Sequence, residues 1–305
     1  MEPRSKLMRE RILRAVTGIV SGFFRRISPE TARRIAFFVG DIGYLLDWRH
    51  RRIAMRNLRM AFGQTKTEAE MRRITRETFR NFSLIAVEFL RIPLLTPEKA
   101  KALIKPEQKK LLDECLKRGK GVLLVAYHFG NWEMMAAVGA LAGYPISAVA
   151  KPMKDSIWNK IINEMRTFSG LRVIARDRSA FAIVKRLARN EIVGILVDQN
   201  IRKQKVFVDF FGMKAATTPG PALLALKTGA ALIPLFMMRN GLGQYEMIAE
   251  GPLDVVSTGD MEADAVRITQ TYTSILEKYV SRYPSQWFWL HRRWRTRPPG
   301  EPALY

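Results

Sequence analysis

The sequence predicts an α/β protein: a central, mostly parallel sheet flanked by helices, with a helical N-terminal portion ahead of it. Two observations carry this. From Gly121 onward, short apolar runs alternate with amphipathic stretches, the spacing of strands joined by helical crossovers and covered on both faces. Up to about residue 105 the chain instead reads as helix throughout. At 305 residues, 48% of them hydrophobic, there is enough apolar material for one large core. The expected division is a helical membrane-associating portion over 1–105 and an α/β unit over 106–305.

In the N-terminal portion, Pro29 and Gly63 are breaks. A helix starts at Thr67, with Glu68 and Glu70 in the first turn, where the helix dipole favours negative charge. The second portion opens with the strand GVLLVAY, followed by a helix from Asn131. The strand ISAVA precedes a helix from Asp155 to about Phe168, and LRVIA precedes one from near Ser179 to Arg189. The strands IVGILV and ALIPLFMM come next, and a last helix covers about Met261 to Tyr283.

The formal charge of +23 calls for anionic partners, because such an excess repels itself in a compact fold. Nucleic acid, an anionic bilayer and a phosphorylated substrate all qualify. Arginines cluster among aromatics near both ends, Arg25 to Arg52 and Arg292 to Arg297. The single Cys115 excludes an internal disulfide and a multi-cysteine zinc site; at helical spacing among leucines it reads as core filler in a reducing, cytoplasm-facing compartment. The first apolar stretch contains Arg14 and lacks a cleavage pattern, so no secretory signal is evident. The second, IAFFVGDIGYLL, runs twelve residues and contains Asp41, short of the roughly 18 to 20 that a spanning helix needs. Ile12, Val16, Ile19, Val20 and Phe23 form one stripe edged by basic residues, as in helices that lie in the headgroup region of an anionic leaflet.

Chemistry centres on AYHFGNWE. His128, one of three histidines, stands at the carboxyl end of the most apolar strand, the edge where open α/β sheets bind ligands. Glu133 lies five residues on. On an unbroken helix that spacing would turn the two side chains about 140° apart. Gly130 and Asn131 supply a break, with Asn131 as N-cap, so Glu133 falls in the first turn of the next helix and can fold back toward the histidine. A carboxylate there would fix the imidazole tautomer and stabilise the imidazolium formed when His128 takes a hydroxyl proton. The turn contains no Ser or Cys, which points to an external hydroxyl as nucleophile. By spacing alone, a satisfied polar residue at a strand end remains the competing interpretation.

HFGNWE resembles the His-x4-Asp/Glu motif of the lysophospholipid and glycerolipid acyltransferase superfamily, and the chain is similar to the bacterial lipid A biosynthesis acyltransferases, the lauroyl and myristoyl transferases. The resemblance extends to RRIAMRNLRMAF, KPMKDSIWNKIINEMR, VDQN, TTPGPALLALKTGAALIP and WFWLHRRWRTRPPGEPALY. It implies that His128 and Glu133 form the catalytic dyad, that Arg166 is an arginine needed for activity, and that Asp198 is an acidic residue at the next strand end. Arg166 would stabilise an oxyanion or grip a phosphate, with an exposed helix charge as the alternative. Asp198 would reach Arg166 or a sugar hydroxyl, with strand capping as the alternative. Lys151 stands where the family usually has arginine, giving a point-charge phosphate contact. Asn200 replaces a second acidic residue, and HFGNWE and DFFG also occur in relatives that acylate phosphatidylinositol mannosides.

The function this implies is acyl transfer from an acyl carrier protein thioester to a hydroxyl of a Kdo-bearing lipid A precursor, with no cofactor and no metal. The protein would sit on the cytoplasmic face of the inner membrane, against an anionic surface and a glycolipid acceptor. One alternative is an enzyme using acyl-CoA on another glycolipid or a lysophospholipid. A rival from another class is a basic nucleic-acid-binding protein in which the His-Glu pair is incidental; the Arg and Trp residues of WFWLHRRWRTRP have the composition of such a patch but suit a bilayer interface or an acyl-lined groove better.

Overall fold

Four helices open the chain: α1 (Arg4–Arg26), α2 (Pro29–Leu46), α3 (Trp48–Phe62) and α4 (Glu68–Arg91). The computed structural model describes residues 4–176, 179–241 and 244–305. Ser28 caps α2, with Pro29 at its first position, and Asp47 caps α3. At α4, Thr67 and Glu70 satisfy each other's backbone N–H groups in a capping box, the physical content of the expected start. Two short helices, α5 (Pro97–Ala102) and α6 (Pro106–Lys117), lead into the sheet.

The α/β unit then runs β1 (Val122–Gly130), α7 (Trp132–Leu141), β2 (Ile146–Ala150), α8 (Ser156–Thr167), β3 (Arg172–Ala175), α9 (Ser179–Leu187) and β4 (Ile192–Leu196). Next come β5 (Val206–Phe210), β6 (Met213–Thr217), α10 (Gly220–Thr228), β7 (Ala231–Arg239), β8 (Tyr245–Ala249) and α11 (Met261–Arg282). Six strands form the central sheet in the order β3-β2-β4-β1-β7-β8, parallel except for β8 at one edge. β1 lies inside it with nearly every residue buried, which is why its run is apolar without alternation.

The hairpin β5–β6, the helix α10 and the antiparallel β8 are not part of the sequence expectation. The hairpin turns on Phe211 and Gly212, both at positive φ, a two-residue connection whose twist suits paired strands. The two strands are short and pair only with each other, so they leave no strand–helix rhythm to read.

Each face of the sheet has its own core. Leu123, Val125, Tyr127 and Phe129 of β1 pack with α3, α4, α10 and α11. Leu124 and Ala126 point the other way, toward α6 and α7, where Cys115 is buried as expected. The first of these cores is continuous from Ala54 and Phe79 in the N-terminal helices to the sheet.

The C-terminal segment overturns one expectation. Trp287, Trp289 and Trp294 are buried in that core, Trp294 stacked on Phe210 and Trp287 edge-to-face with Phe210 and Trp289, and so are not available to a bilayer or to nucleic-acid bases. Arg293 is buried with them, donating to the carbonyl of Ala216 and the hydroxyl of Thr217, and burial pulls its pKa down to about 10. Arg297 donates to the Lys214 carbonyl and pairs with Glu301. Asn57 of α3, fully buried, donates to the carbonyls of Trp289 and His291 at 2.7 Å each. The motif RRIAMRNLRMAF near one end and WFWLHRRW near the other are therefore two halves of one packing unit.

Candidate active site

His128 is set by a distortion of β1. Between Ala126 and Gly130 the strand advances four residues while β7 advances only from Leu235 to Met237, a bulge of the kind that re-aims side chains beside functional sites. The bulge closes at Gly130, whose φ is +58° and where an added Cβ would fall 1.7 Å from the Met237 carbonyl oxygen. Only glycine fits there. Asn131 follows as the expected N-cap of α7, accepting from Met134 N–H at 2.9 Å, while its own N–H donates to Met237 and its amide donates to Glu88 of α4.

The carboxylate on the imidazole is that of Asp198. Its Oδ1 lies 2.8 Å from His128 Nδ1, and its Oδ2 accepts both the His128 backbone N–H, at 2.9 Å, and the Trp287 indole N–H, at 2.8 Å. Burial works to raise the Asp198 pKa, but the His128 charge and these hydrogen bonds outweigh it, and the carboxyl sits below its ordinary value. Asp198 is thus held ionised with its lone pairs engaged, and it places the imidazole proton on Nδ1. Nε2, the basic nitrogen, faces the Gln199 side-chain amide at 3.3 Å. The Trp132 ring packs edge-on against the imidazole, 5.0 Å between centroids, and Phe288 N–H donates to the His128 carbonyl.

Glu133 is in the first turn of α7, as expected, but its carboxylate turns to Arg166 of α8, which donates from Nε at 2.9 Å and Nη2 at 2.6 Å. The expectations that Glu133 would reach back to orient His128 and that Asp198 would reach Arg166 are both corrected by these contacts. The physical reason is adjacency. β4 lies beside β1 in parallel register, with Leu196 opposite Ala126, so Asp198, two residues past the end of β4, arrives at the backbone and ring of His128. A bidentate guanidinium, meanwhile, is a better partner for Glu133 than the side of a ring already taken. Burial works to lower the Arg166 pKa, but Glu133 more than compensates and the net shift is upward.

Lys151 stands just past the end of β2, on the rim of the cavity that His128, Glu133 and Arg166 also line. Asn200 accepts the Thr296 N–H, and its own N–H donates to His291 Nε2 at 2.7 Å. His291 is held neutral, its pKa pushed down to about 4 by burial and by the neighbouring Arg293. Gln199 and His291 have no site role in the sequence, and Trp287 reads there only as part of a patch suited to a bilayer interface or an acyl-lined groove; its direction, toward Asp198 rather than outward, depends on tertiary packing.

The cavity, about 790 Å³, wraps the carboxyl edge of β2, β4 and β1. One arm lies over the α7 face, against Leu124, Ala126, Met135 and Ile146; the other lies between α9 and α10, against Val184, Leu223 and Leu224. Phe181, one of its lining residues, is exposed.

A doubly covered α/β sheet that carries a histidine–carboxylate couple beside a large cavity lined mainly by apolar side chains, with charged groups among them, has the form of an enzyme acting on a substrate with an apolar part. The chain belongs to the bacterial lipid A biosynthesis acyltransferase family, whose model matches residues 4–296. It is 28% identical over 260 residues to the lipid A biosynthesis palmitoleoyltransferase of Escherichia coli K12, covering 84% of this chain and 82% of that one. It is 31% identical over 192 residues to the lauroyltransferase of the same organism, covering 61% and 60%. A phosphatidylinositol mannoside acyltransferase of Mycolicibacterium smegmatis is 32% identical over 184 residues, covering 59% and 58%. The protein is an acyltransferase.

Proposed function

We propose that the enzyme carries out a late acylation of a Kdo-bearing lipid A precursor, taking the acyl group from an acyl carrier protein thioester. The observation that supports it most directly is the oriented imidazole of His128 on the rim of an apolar cavity, in a chain of the lipid A acyltransferase family. His128 Nε2 takes the proton of the acceptor hydroxyl as its oxygen attacks the thioester carbonyl. Asp198 stabilises the imidazolium through Nδ1. The oxyanion is stabilised by Arg166 or by the free N–H groups at the start of α7. Collapse of the tetrahedral intermediate breaks the C–S bond, and the leaving thiolate recovers the proton from His128. Glu133 acts by fixing Arg166, and Lys151 offers a point charge to an acceptor phosphate.

A second reading, acyl-CoA as donor and a phosphatidylinositol mannoside or similar glycolipid as acceptor, is favoured by the mycobacterial relatives. The purified enzyme, given acyl carrier thioester and acyl-CoA together with a lipid A precursor, is expected to incorporate the carrier-borne chain into the precursor. Exclusive use of acyl-CoA, or transfer only to a different glycolipid supplied in parallel, would transfer the conclusion to the second reading. Mass spectrometry of the lipid product reads the outcome.

We also infer that the enzyme works from the cytoplasmic face of the inner membrane, lying on it. Among the described residues no helix is long and apolar enough to cross a membrane. On α1 and α2, however, Ile19, Phe38, Leu45 and Leu46 are each about two thirds or more exposed, at 73%, 67%, 66% and 75%. Arginines flank this apolar face, matching an anionic interface. α1 is tied to α8, which carries Arg166, through Arg14–Glu164 and Lys160–Glu10 ion pairs, so α1 lies beside an element that lines the cavity. The double variant Ile19→Asp, Phe23→Asp is expected to keep its fold and lose co-sedimentation with phosphatidylglycerol-containing vesicles by ~10²-fold or more in partition, from the burial each side chain forfeits. Unchanged partition would remove α1 from the membrane contact.

A further inference from the structure

Behind the α7-side arm of the cavity lies a second, small cavity of about 30 Å³, lined almost wholly by apolar side chains. The two share Leu124, Met135, Ile146 and Leu235, which therefore stand as a wall between them. Three observations on the near side of this wall bear on what the arm holds. First, Leu124, Ala126 and His128 lie on one face of β1, so the arm runs from the imidazole along the strand for up to about 13 Å before it meets the wall. Second, its floor is made of the smallest side chains. Gly194 of β4 lies in register between Leu124 and Ala148, and Ala126 follows one step along. Gly194 has an ordinary strand conformation, and a Cβ there would meet nothing closer than the Ser147 carbonyl oxygen at 3.9 Å. The sheet geometry does not need a glycine at this position; a bare strand position facing a cavity is where a ligand approaches the backbone closely. Third, the charged side chains on this side, Glu133 and Arg166, are paired with each other and leave apolar lining beyond them, whereas Thr218 and Lys227 lie beside α10 on the other arm.

We propose that the donor's fatty chain lies in this α7-side groove, over Gly194, with its methyl end against the Met135 wall, and that these two residues set the chain length the enzyme transfers. This rests on the acyl-transfer reading above and adds to it the determinant of donor specificity. Gly194, in register with Leu124 of the wall, leaves the depth the chain needs at the far end of the groove. Met135, from α7, is the most adaptable member of the wall, because an unbranched thioether can be shortened without rearranging the strands beside it. Truncating it joins the 30 Å³ cavity to the groove and lengthens the slot; a side chain at position 194 fills the far end of the groove beside Leu124 and shortens it.

The test is a competition among saturated acyl carrier protein thioesters that step by two carbons, with the transferred chains on the lipid A precursor read by mass spectrometry. Met135→Ala is expected to move the preferred chain at least two carbons longer, and Gly194→Val at least two carbons shorter. Each shift changes the ratio of neighbouring products by about tenfold or more, as methylenes in a fitted pocket do. Valine suits a strand, so Gly194→Val keeps the proposal testable if Met135→Ala folds poorly. Variants that transfer acyl groups with the wild-type length profile would overturn the proposal and leave the acyl-transfer reading standing. A folded wild-type enzyme that transfers no chain from any thioester to any lipid acceptor would instead overturn the reading it rests on.

Discussion

His128→Gln is expected to lower acyl turnover ~10³-fold or more with the fold intact, because a neutral amide cannot accept the acceptor's proton at the attacking step. The measurement is single-turnover transfer from the acyl carrier thioester, with the melting transition as a control. The side chain is partly open to the cavity and contributes little to the apolar core, so its replacement removes chemistry more than packing. A variant that melts like the wild type and keeps most of its turnover would show that the base is another group.

Asp198→Asn is expected to cost ~10²–10⁴-fold in kcat with a much smaller change in KM, since Asp198 touches the imidazole and not the cavity lining. The asparagine amide would donate to Nδ1, forcing the proton onto Nε2, the nitrogen that has to be basic. The substitution also removes the charge that stabilises the imidazolium. By contrast, Glu133→Gln breaks a bidentate pair with Arg166, so its effect is expected to match that of Arg166→Met, with the double variant no worse than either alone. Rates for these variants separate two assignments of the carboxylate that serves His128. A near-wild-type Asp198→Asn beside a crippled Glu133→Gln that is additive with Arg166→Met would give that role to Glu133.

Some parts of this site are local, and local parts are legible in a sequence. The Gly130–Asn131 break, the N-cap on α7 and the placing of Glu133 in its first turn depend on a handful of adjacent residues whose backbone preferences are strong. The same holds for the capping box at Thr67 and for the apolar stripe of α1, where period and charge are enough. The Arg166 contact with Glu133 spans 33 residues and the Asp198 contact with His128 spans 70. Neither partner can be chosen from spacing, because four acidic or basic groups, His128, Glu133, Arg166 and Asp198, converge on the sheet edge and only strand order says which reach one another. The tryptophans near the C-terminus show the limit from another side. Their composition suits an interface and a core equally, and inside the core Asn57, more than two hundred residues away, binds the backbone at Trp289 and His291.

From residue order alone, then, come the mostly parallel α/β sheet, the histidine at its carboxyl edge, the turn that follows it, and the amphipathic helix at the start: each is a matter of periodicity or of backbone conformation within a few residues. Only the tertiary structure decides that Asp198 holds the imidazole, that Glu133 holds Arg166, that the three C-terminal tryptophans and Arg293 are core, and that a groove floored by Gly194 ends at Met135. The physical reason is common to all four. Hydrogen bonds, ion pairs and cavity walls form between whatever side chains the strand order β3-β2-β4-β1-β7-β8 brings within a few ångströms, and that order is settled by the packing of the whole core.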